Sequence, residues 1–251
     1  MSAESASDAA GGASRRSFLK SAAAVGATML APGVVLYAVE PSQAAPASAS
    51  AKVRWGLLVD LNKCPRDCRA CVTACGSENG LKTSDLTDTD PQWIRKVAVT
   101  DPASGVRRDL PVMCQHCAKP ACVDVCPTGA SFKRADGIVL VDKHICIGCR
   151  YCIMACPYKG RSFVHAAVEP STGETPRGKG TVESCTLCVH RIDAGRIPAC
   201  VEACAAKGGG AMLFGDLNDA GSDIAKAVKA HGSVRIRPDL GLEPAIHYLN
   251  L

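Results

Sequence analysis

The run Cys146-Ile147-Gly148-Cys149-Arg150-Tyr151-Cys152-Ile153-Met154-Ala155-Cys156-Pro157 predicts the fold more directly than any other stretch of the chain. Gaps of two residues between the first three cysteines let a short loop curl around one compact centre and present three thiolates to it. After the third cysteine the pattern favours a helical turn that carries the fourth cysteine away, and the proline restricts the exit of the chain. The run therefore indicates three ligands for one centre and a fourth ligand for another.

The whole chain repeats this arrangement, because its 16 cysteines fall into four groups of four with none left over. Groups one to four are, in order, Cys64, Cys68, Cys71 and Cys75; Cys114, Cys117, Cys122 and Cys126; Cys146, Cys149, Cys152 and Cys156; and Cys185, Cys188, Cys200 and Cys204. Group three has the spacing of bacterial ferredoxins, in which three cysteines bind one [4Fe-4S] cluster and the fourth binds another. Four cysteines per cluster predict four [4Fe-4S] clusters. Proline follows groups two and three (Pro127, Pro157), whereas Gly76 and Ala205 follow groups one and four.

Exchange of the fourth cysteine requires the groups to work in pairs. Groups two and three are closest in sequence, separated by a predicted hairpin of residues 130–133 and 138–141. They should form one module, with groups one and four closing around it as a second, nested module. The predicted ligand sets are Cys114, Cys117, Cys122 and Cys156; Cys126, Cys146, Cys149 and Cys152; Cys64, Cys68, Cys71 and Cys204; and Cys75, Cys185, Cys188 and Cys200. A tandem pairing, one with two and three with four, is the structural alternative.

Other chemistries of cysteine fit the pattern less well. Zinc sites usually have isolated sets of four ligands, often two C-x2-C pairs. They do not repeat a pattern of three closely spaced cysteines followed by a fourth. Disulfides would join cysteines that are too close in sequence to bridge comfortably. No cysteine stands alone beside a candidate base, and no phosphate loop or dinucleotide fingerprint is present. The chain is therefore not expected to be an enzyme by itself.

Composition supports a protein that folds around metal. The 251 residues are 47% hydrophobic but include only 4 Phe, 4 Tyr and 2 Trp, so the bulky apolar core should be thin and metal should supply part of the folding energy. The formal net charge is +5. Because each oxidised cluster with four thiolates carries about −2, four clusters should bring the charge to about −3. Seven basic residues lie near the cysteines in sequence, namely Lys63, Arg66, Arg69, Lys119, Arg150, Lys159 and Arg161. They are dispersed, so we expect them to be counter-charges to the clusters or surface residues and not a nucleic-acid-binding patch.

The N-terminus has the pattern of an export signal. Arg15-Arg16 precede a moderately apolar run at residues 22–39 and a small-residue end, which is typical of a twin-arginine signal peptide. We expect residues 1–45 to be the signal and residues 46–52 a flexible leader, with the mature protein periplasmic and peripheral to the inner membrane. Retention as an uncleaved anchor is the alternative, although Pro32-Gly33 interrupts the run and its length is marginal for a span.

The fold class predicted for the remainder is α+β. Strands are expected at residues 53–60, 211–214 and 246–249, with a hairpin of residues 97–100 and 106–112, and a helix capped within residues 219–222 should extend to residue 230. Residues 169–180 should form an exposed loop. The expected modules are residues 53–113 with 157–251, and residues 114–156. His116 and His144 are expected to pack beside clusters without ligating them, and Phe132, Tyr151, Tyr158 and Phe163 to cover clusters.

Residues 53–251 resemble a known family. The segments Cys114-Gln115-His116-Cys117, Val123-Asp124-Val125-Cys126-Pro127-Thr128-Gly129-Ala130-Ser131-Phe132 and Pro198-Ala199-Cys200-Val201-Glu202-Ala203-Cys204 are similar to those of four-cluster ferredoxin-like electron-transfer subunits, the NrfC/DmsB/PsrB-like family. Residues 149–159, 161–165 and 176–188, with the twin-arginine leader, look like DsrO-type periplasmic subunits of the Dsr membrane complex of sulfur metabolism. Group one departs from the common pattern, since its first gap has three residues.

The resemblance implies an electron-transfer subunit of an oxidoreductase complex. Its partners would be an NrfD-like integral membrane subunit that interacts with quinone and a cytochrome c or molybdopterin redox subunit. A subunit of a nitrite, polysulfide, thiosulfate or tetrathionate reductase is the alternative within this class. The alternative from another class is a non-redox structural protein stabilised by zinc or disulfides.

Overall fold

The computed structural model describes residues 27–31, 34–37, 49–168 and 177–251. The chain divides into two units, Met1–Pro46 and Ala47–Leu251. In the first unit, strand β1 (Ala27–Ala31) pairs antiparallel with β2 (Val34–Tyr37). The rest of the predicted signal peptide and residues 169–176 of the predicted loop lie outside the described residues. Within these described ranges, no helix has the length and apolar character that a membrane span requires.

The second unit mixes short strands with short helices, as the α+β prediction expects. Its strands are β3 (Trp55–Asp60), β4 (Ile94–Thr100), β5 (Arg107–Met113), β6 (Ser131–Lys133), β7 (Val139–Val141), β8 (Arg161–Phe163), β9 (Val182–Ser184), β10 (Met212–Asp216) and β11 (Ile246–Leu249). Its α-helices are α1 (Ala70–Asn79), α2 (Ala121–Asp124), α3 (Tyr151–Met154), α4 (Val189–Asp193), α5 (Ala199–Lys207) and α6 (Asp223–Ala230). A 3-10 turn spans Pro238–Leu240.

A three-stranded sheet organises this unit. The central strand β3 pairs antiparallel with β10 and parallel with β11. Leu57, Leu58 and Val59 of β3 are all buried, which suits a central strand with both faces covered. The predicted strands at residues 53–60, 211–214 and 246–249 are therefore confirmed, with small changes at their ends.

The other strands form three antiparallel hairpins. The pairs β4–β5 and β6–β7 confirm the two hairpins predicted from turn residues and alternation. The pair β8–β9 was not predicted, because strands of three residues carry little periodicity and a long connection separates them. The predicted helix near the C-terminus is confirmed as α6, whose cap Ser222 accepts a hydrogen bond at Oγ from the Ala225 N–H at 3.2 Å.

Helix length explains which cysteine groups are followed by proline. Helices α2 and α3 have only four residues and end before Cys126-Pro127 and Cys156-Pro157. Helices α1 and α5 have ten and nine residues and continue past Cys75 and Cys204. Proline in a helix interior removes a hydrogen bond and clashes with the preceding turn, so Gly76 and Ala205 stand where proline would break these longer helices.

Cysteines form part of the main core. Helices α1 and α5 contact each other, and the cysteines of each are four residues apart and thus on one face. The main cluster of buried residues includes Trp93, Met113 and Tyr248 together with six cysteines: Cys71, Cys75, Cys114, Cys185, Cys200 and Cys204. A smaller apolar cluster of Leu58, Ile224 and Leu249 fixes α6 against the sheet. The main core thus includes cysteines of groups one, two and four but none of group three.

Candidate cysteine-lined metal centres

All sixteen cysteines are free thiols in the structure. Four of them, Cys64, Cys68, Cys71 and Cys204, line one small cavity and are called set A. Burial raises the pKa of the Cys71 thiol to about 11; Lys96 opposes this shift, and the thiols of Cys204, Cys64 and Cys68 add to it. Set A therefore combines three cysteines of group one with one of group four.

Set B has the same construction one helical turn further along α1. It consists of Cys75, Cys185, Cys188 and Cys200, which line a second small cavity together with Trp93 and Thr186. Burial raises the pKa of Cys75 well above its usual range, and the thiols of Cys185 and Cys188 raise it further. Set B therefore combines one cysteine of group one with three of group four.

Set C is Cys114, Cys117, Cys122 and Cys156. Burial raises the pKa of the Cys117 thiol to about 12, and the thiols of Cys114, Cys122 and Cys156 add to the shift. Cys156 comes from group three, and it reaches group two because α3 ends two residues before it.

Set D is Cys126, Cys146, Cys149 and Cys152. Burial raises the pKa of the Cys152 thiol, Arg161 opposes this shift, and the thiols of Cys146 and Cys126 add to it. Cys149 is exposed, and its place in set D comes from its position in the same loop as Cys146. The four sets have the composition of the nested ligand sets, whose assignment to clusters stays a prediction.

The sets follow one another through space. Helix α1 carries Cys71 of set A and Cys75 of set B one turn apart. The charge of Cys114 in set C acts on Cys185 in set B, and that of Cys152 in set D acts on Cys122 in set C. The order of neighbours is therefore A, B, C and D.

The donor chemistry of the sets fits iron-sulfur clusters. In a cubane each iron takes one protein thiolate, so four ligands surround a volume instead of converging on one point. Within the described ranges, no three His, Cys, Asp or Glu side chains converge closely enough to hold a single metal ion. Sulfur ligands also require hydrogen-bond donors, which stabilise thiolates and tune potentials. Four backbone N–H groups donate to cysteine Sγ atoms: Ser131 to Cys126 at 3.3 Å, Gly160 to Cys156 at 3.4 Å, Val182 to Cys146 at 3.4 Å and Leu187 to Cys185 at 3.4 Å. The Lys96 Nζ donates to the Cys64 Sγ at 2.9 Å.

Further donors face the cavity of set B. The Trp93 Nε1 and Thr186 Oγ1 are buried and have no hydrogen-bond partner among the described residues. A buried donor without a partner is costly, and the sulfurs of a cluster in this cavity would accept from both. The residues of set B therefore fit a [4Fe-4S] cluster.

The sequence alone did not identify several of these hydrogen-bond donors near the cysteines. Lys96 lies in β4, 32 residues from Cys64, so nothing in the local sequence marks it as a donor. Trp93 likewise reaches set B only through the fold. Asn79 could have been found, because it follows Cys75 by one helical turn, and its Nδ2 donates to the Cys75 carbonyl at 3.0 Å and lies 3.7 Å from its Sγ.

His116 has a structural role. Its ring is completely buried, and its Nδ1 accepts a hydrogen bond from the Val139 N–H at 3.1 Å. Burial, helped by the charges of Arg54 and Arg161, lowers the pKa of His116 to about 3. The neutral ring therefore fastens β7 beside set C, which is the packing position predicted for it.

Comparisons with known proteins agree with this chemistry. A 4Fe-4S dicluster domain family matches residues 108–217. The Hdr-like menaquinol oxidoreductase iron-sulfur subunit 1 of Archaeoglobus fulgidus is 39% identical over 95% of this chain and 98% of its own length. A tetrathionate reductase subunit of Salmonella typhimurium is 38% identical over 80% of this chain and 74% of its own length. Protein NrfC of Escherichia coli is 36% identical over 78% of this chain and 80% of its own length.

These likenesses extend over most of the chain and over most of each relative. Together with the sixteen cysteines, they support a complement of four clusters. The chain therefore belongs to the NrfC/DmsB-like family of ferredoxin-like iron-sulfur subunits, which carry four [4Fe-4S] clusters and serve membrane-associated oxidoreductases by transferring electrons, without being their catalytic subunits.

Proposed function

We propose that this chain passes single electrons along sets A, B, C and D between an NrfD-like, quinone-interacting membrane subunit and a second redox subunit. The observation that supports this proposal best is a series of neighbouring thiols. Cys71 and Cys75 lie one turn apart on α1, and Cys75 and Cys185 line one cavity. The charge of Cys114 acts on Cys185, and that of Cys152 acts on Cys122. When bound, each cluster accepts and releases one electron. A linear order of four such sites would carry an electron through the subunit between set A and set D.

The proposal includes the nested ligand sets. Each set takes three cysteines from one group and one from its partner group, as the cysteine spacing of bacterial ferredoxins implies. Residues 114–156 would then form the inner module, and residues 53–113 with 157–251 the outer module. The contact between α1 and α5 supports this division, because it brings groups one and four together although 110 residues separate Cys75 from Cys185.

The protein itself supplies ligands, shielding and hydrogen bonds. Sets A and B lie largely in the main core, which excludes water from them. Backbone donors such as the Leu187 N–H, at 3.4 Å from the Cys185 Sγ, hold the thiolates and make each site easier to reduce. Set D includes the exposed Cys149, beside the exposed side chains of Ile147 and Tyr151. That end of the series is accessible to a redox partner.

The complex we propose is of the Dsr type in sulfur metabolism, with a cytochrome c as a redox partner. The likeness to a menaquinol oxidoreductase iron-sulfur subunit over nearly the full length of both chains supports a quinone-linked complex. Residues 1–45 would be the twin-arginine signal and residues 46–52 the leader that follows it. Export of the folded protein by this signal would place it in the periplasm at the inner membrane. The likeness to a tetrathionate reductase subunit favours, as second candidate, a reductase with a molybdopterin partner.

Isolation of the intact complex tests this function. The affinity-tagged chain, expressed in its own host, should co-purify from detergent-solubilised membranes with a multi-span membrane subunit and a c-type cytochrome, identified by mass spectrometry and haem staining. Quinol added to this complex, or dithionite in the reverse direction, should change the absorbance of the clusters and then of the haem.

The partner recovered separates the candidates. A molybdopterin subunit in place of the cytochrome would favour the second candidate. A chain that purifies alone from both membrane and soluble fractions, and that no quinol reduces, would contradict the electron-transfer assignment within such a complex.

A further inference from the structure

Arg161 occupies an unusual position between sets C and D. It is the first residue of β8, where it pairs with Ser184 of β9, and its side chain is only 5% exposed. The preceding Gly160 fits tightly against set C, since a Cβ there would lie 3.0 Å from the Cα of Cys114. The backbone on the N-terminal side of Arg161 is therefore fixed against one set of thiols.

The guanidinium has no ordinary counter-charge. In the part of the chain that the structure describes, no carboxylate forms an ion pair with it, its Nε and both terminal nitrogens have no oxygen or nitrogen acceptor, and the groups they face are the thiols of Cys122 and Cys152. Burial lowers the pKa of Arg161, but the thiolates of Cys122, Cys114 and Cys152 outweigh this effect and raise it. Two of these cysteines belong to set C and one to set D.

Arg161 differs in this respect from the other basic residues near the cysteines. Two lysines are half-buried and have hydrogen-bond partners, since Lys96 Nζ donates to Cys64 Sγ at 2.9 Å and Lys143 Nζ donates to the Val182 carbonyl at 2.6 Å. Six others are exposed, namely Lys63, Arg66, Arg69, Lys119, Arg150 and Lys159. Water and salt screen charges at the surface, whereas a buried charge is screened much less. A buried guanidinium without an anion is costly, and a cluster with its four thiolates carries a charge of about −2.

We propose that Arg161 is the shared counter-charge of the clusters in sets C and D and raises the reduction potential of both. The inference rests on the proposed electron-transfer function and adds a positioning residue to it. A positive charge between two anionic centres stabilises the state with an additional electron on either of them, and it weakens their mutual repulsion. Electrons can then move between sets C and D without a large unfavourable step.

Redox titration of charge variants tests this inference. Arg161→Lys keeps the charge and Arg161→Met removes it at similar length, while Arg150→Gln removes an exposed charge that stacks on the Phe163 ring at 3.8 Å. In anaerobic titrations followed by electron paramagnetic resonance, Arg161→Met should lower the reduction equilibrium constant of two clusters by about tenfold or more, which is about 59 mV per tenfold change for one electron. Arg161→Lys should recover most of the shift, and Arg150→Gln should change little.

The measured potentials and iron contents of these variants decide whether the inference holds. Equal shifts of all four potentials, or native potentials in a fully loaded Arg161→Met protein, would overturn the inference. If the Arg161→Met protein loses iron, the Arg161→Lys protein decides the question. Native iron content and potentials in Arg161→Lys would support the counter-charge role, whereas loss of iron in both variants would refute it. The expected shifts in a protein that binds no membrane partner would contradict the proposed function and leave the role of Arg161 intact.

Discussion

Removal of iron is expected to abolish the cooperative fold of residues 49–251. Six cysteines belong to the main core, so the packing of this core depends on what holds their thiolates together. Binding of a structural metal by thiolates contributes about 10–16 kcal/mol of folding free energy in small zinc-binding peptides. Because the whole stability of a typical domain is about 5–15 kcal/mol, loss of the clusters should exceed it.

Circular dichroism and denaturant unfolding measure this effect. The protein as purified should unfold cooperatively, whereas protein depleted of iron with a chelator, under anaerobic and reducing conditions, should lose its near-ultraviolet signal and its transition. Re-addition of ferrous iron with sulfide should restore both, and zinc alone should not. An iron-free, reduced protein that unfolds at the same denaturant concentration as the native one would contradict this prediction.

The second large effect is expected from Cys156→Ser. The Cys156 thiolate is the member of set C that comes from group three, and it accepts a hydrogen bond from the Gly160 N–H at 3.4 Å. Serine is a poorer ligand for iron than thiolate, which is the soft donor that these clusters require. The cluster of set C should therefore be lost or altered, with a loss of up to about four irons.

Electron paramagnetic resonance of the reduced protein separates the nested from the tandem pairing. The nested sets predict that one signal changes in Cys156→Ser while the signals of sets A and B persist. The matched variant Cys126→Ser should change the signal of set D instead. In the tandem arrangement Cys156 would join Cys185, Cys188 and Cys200, so a change confined to that cluster in Cys156→Ser would refute the nested account.

Local features of the fold could be predicted because short-range chemistry determines them. The turn around Asp136-Gly137 specifies the hairpin β6–β7, and Ser222 begins α6 through its own side chain. The uninterrupted apolar run of β3 indicates a buried central strand. The prolines after groups two and three correspond to the short helices α2 and α3, whereas Gly76 and Ala205 accompany the longer helices α1 and α5.

Contacts between distant segments could not be predicted in the same way. The hairpin β8–β9 joins two three-residue strands across a long connection, and Arg161 is buried at its first position. Lys96 reaches Cys64 because of the position of β4, and Trp93 reaches set B by the packing of the core. The spacing of cysteines thus predicts which residues could bind clusters, whereas the charges and donors that surround them arise from tertiary structure.

The central claim is that sixteen cysteines hold four [4Fe-4S] clusters in one electron-transfer subunit. Its most direct test is the measurement of iron, acid-labile sulfide and zinc in the anaerobically purified chain. The account predicts about sixteen irons and about sixteen sulfides per chain, four of each for every cluster, and no zinc in stoichiometric amount. Zinc without iron and sulfide would contradict it.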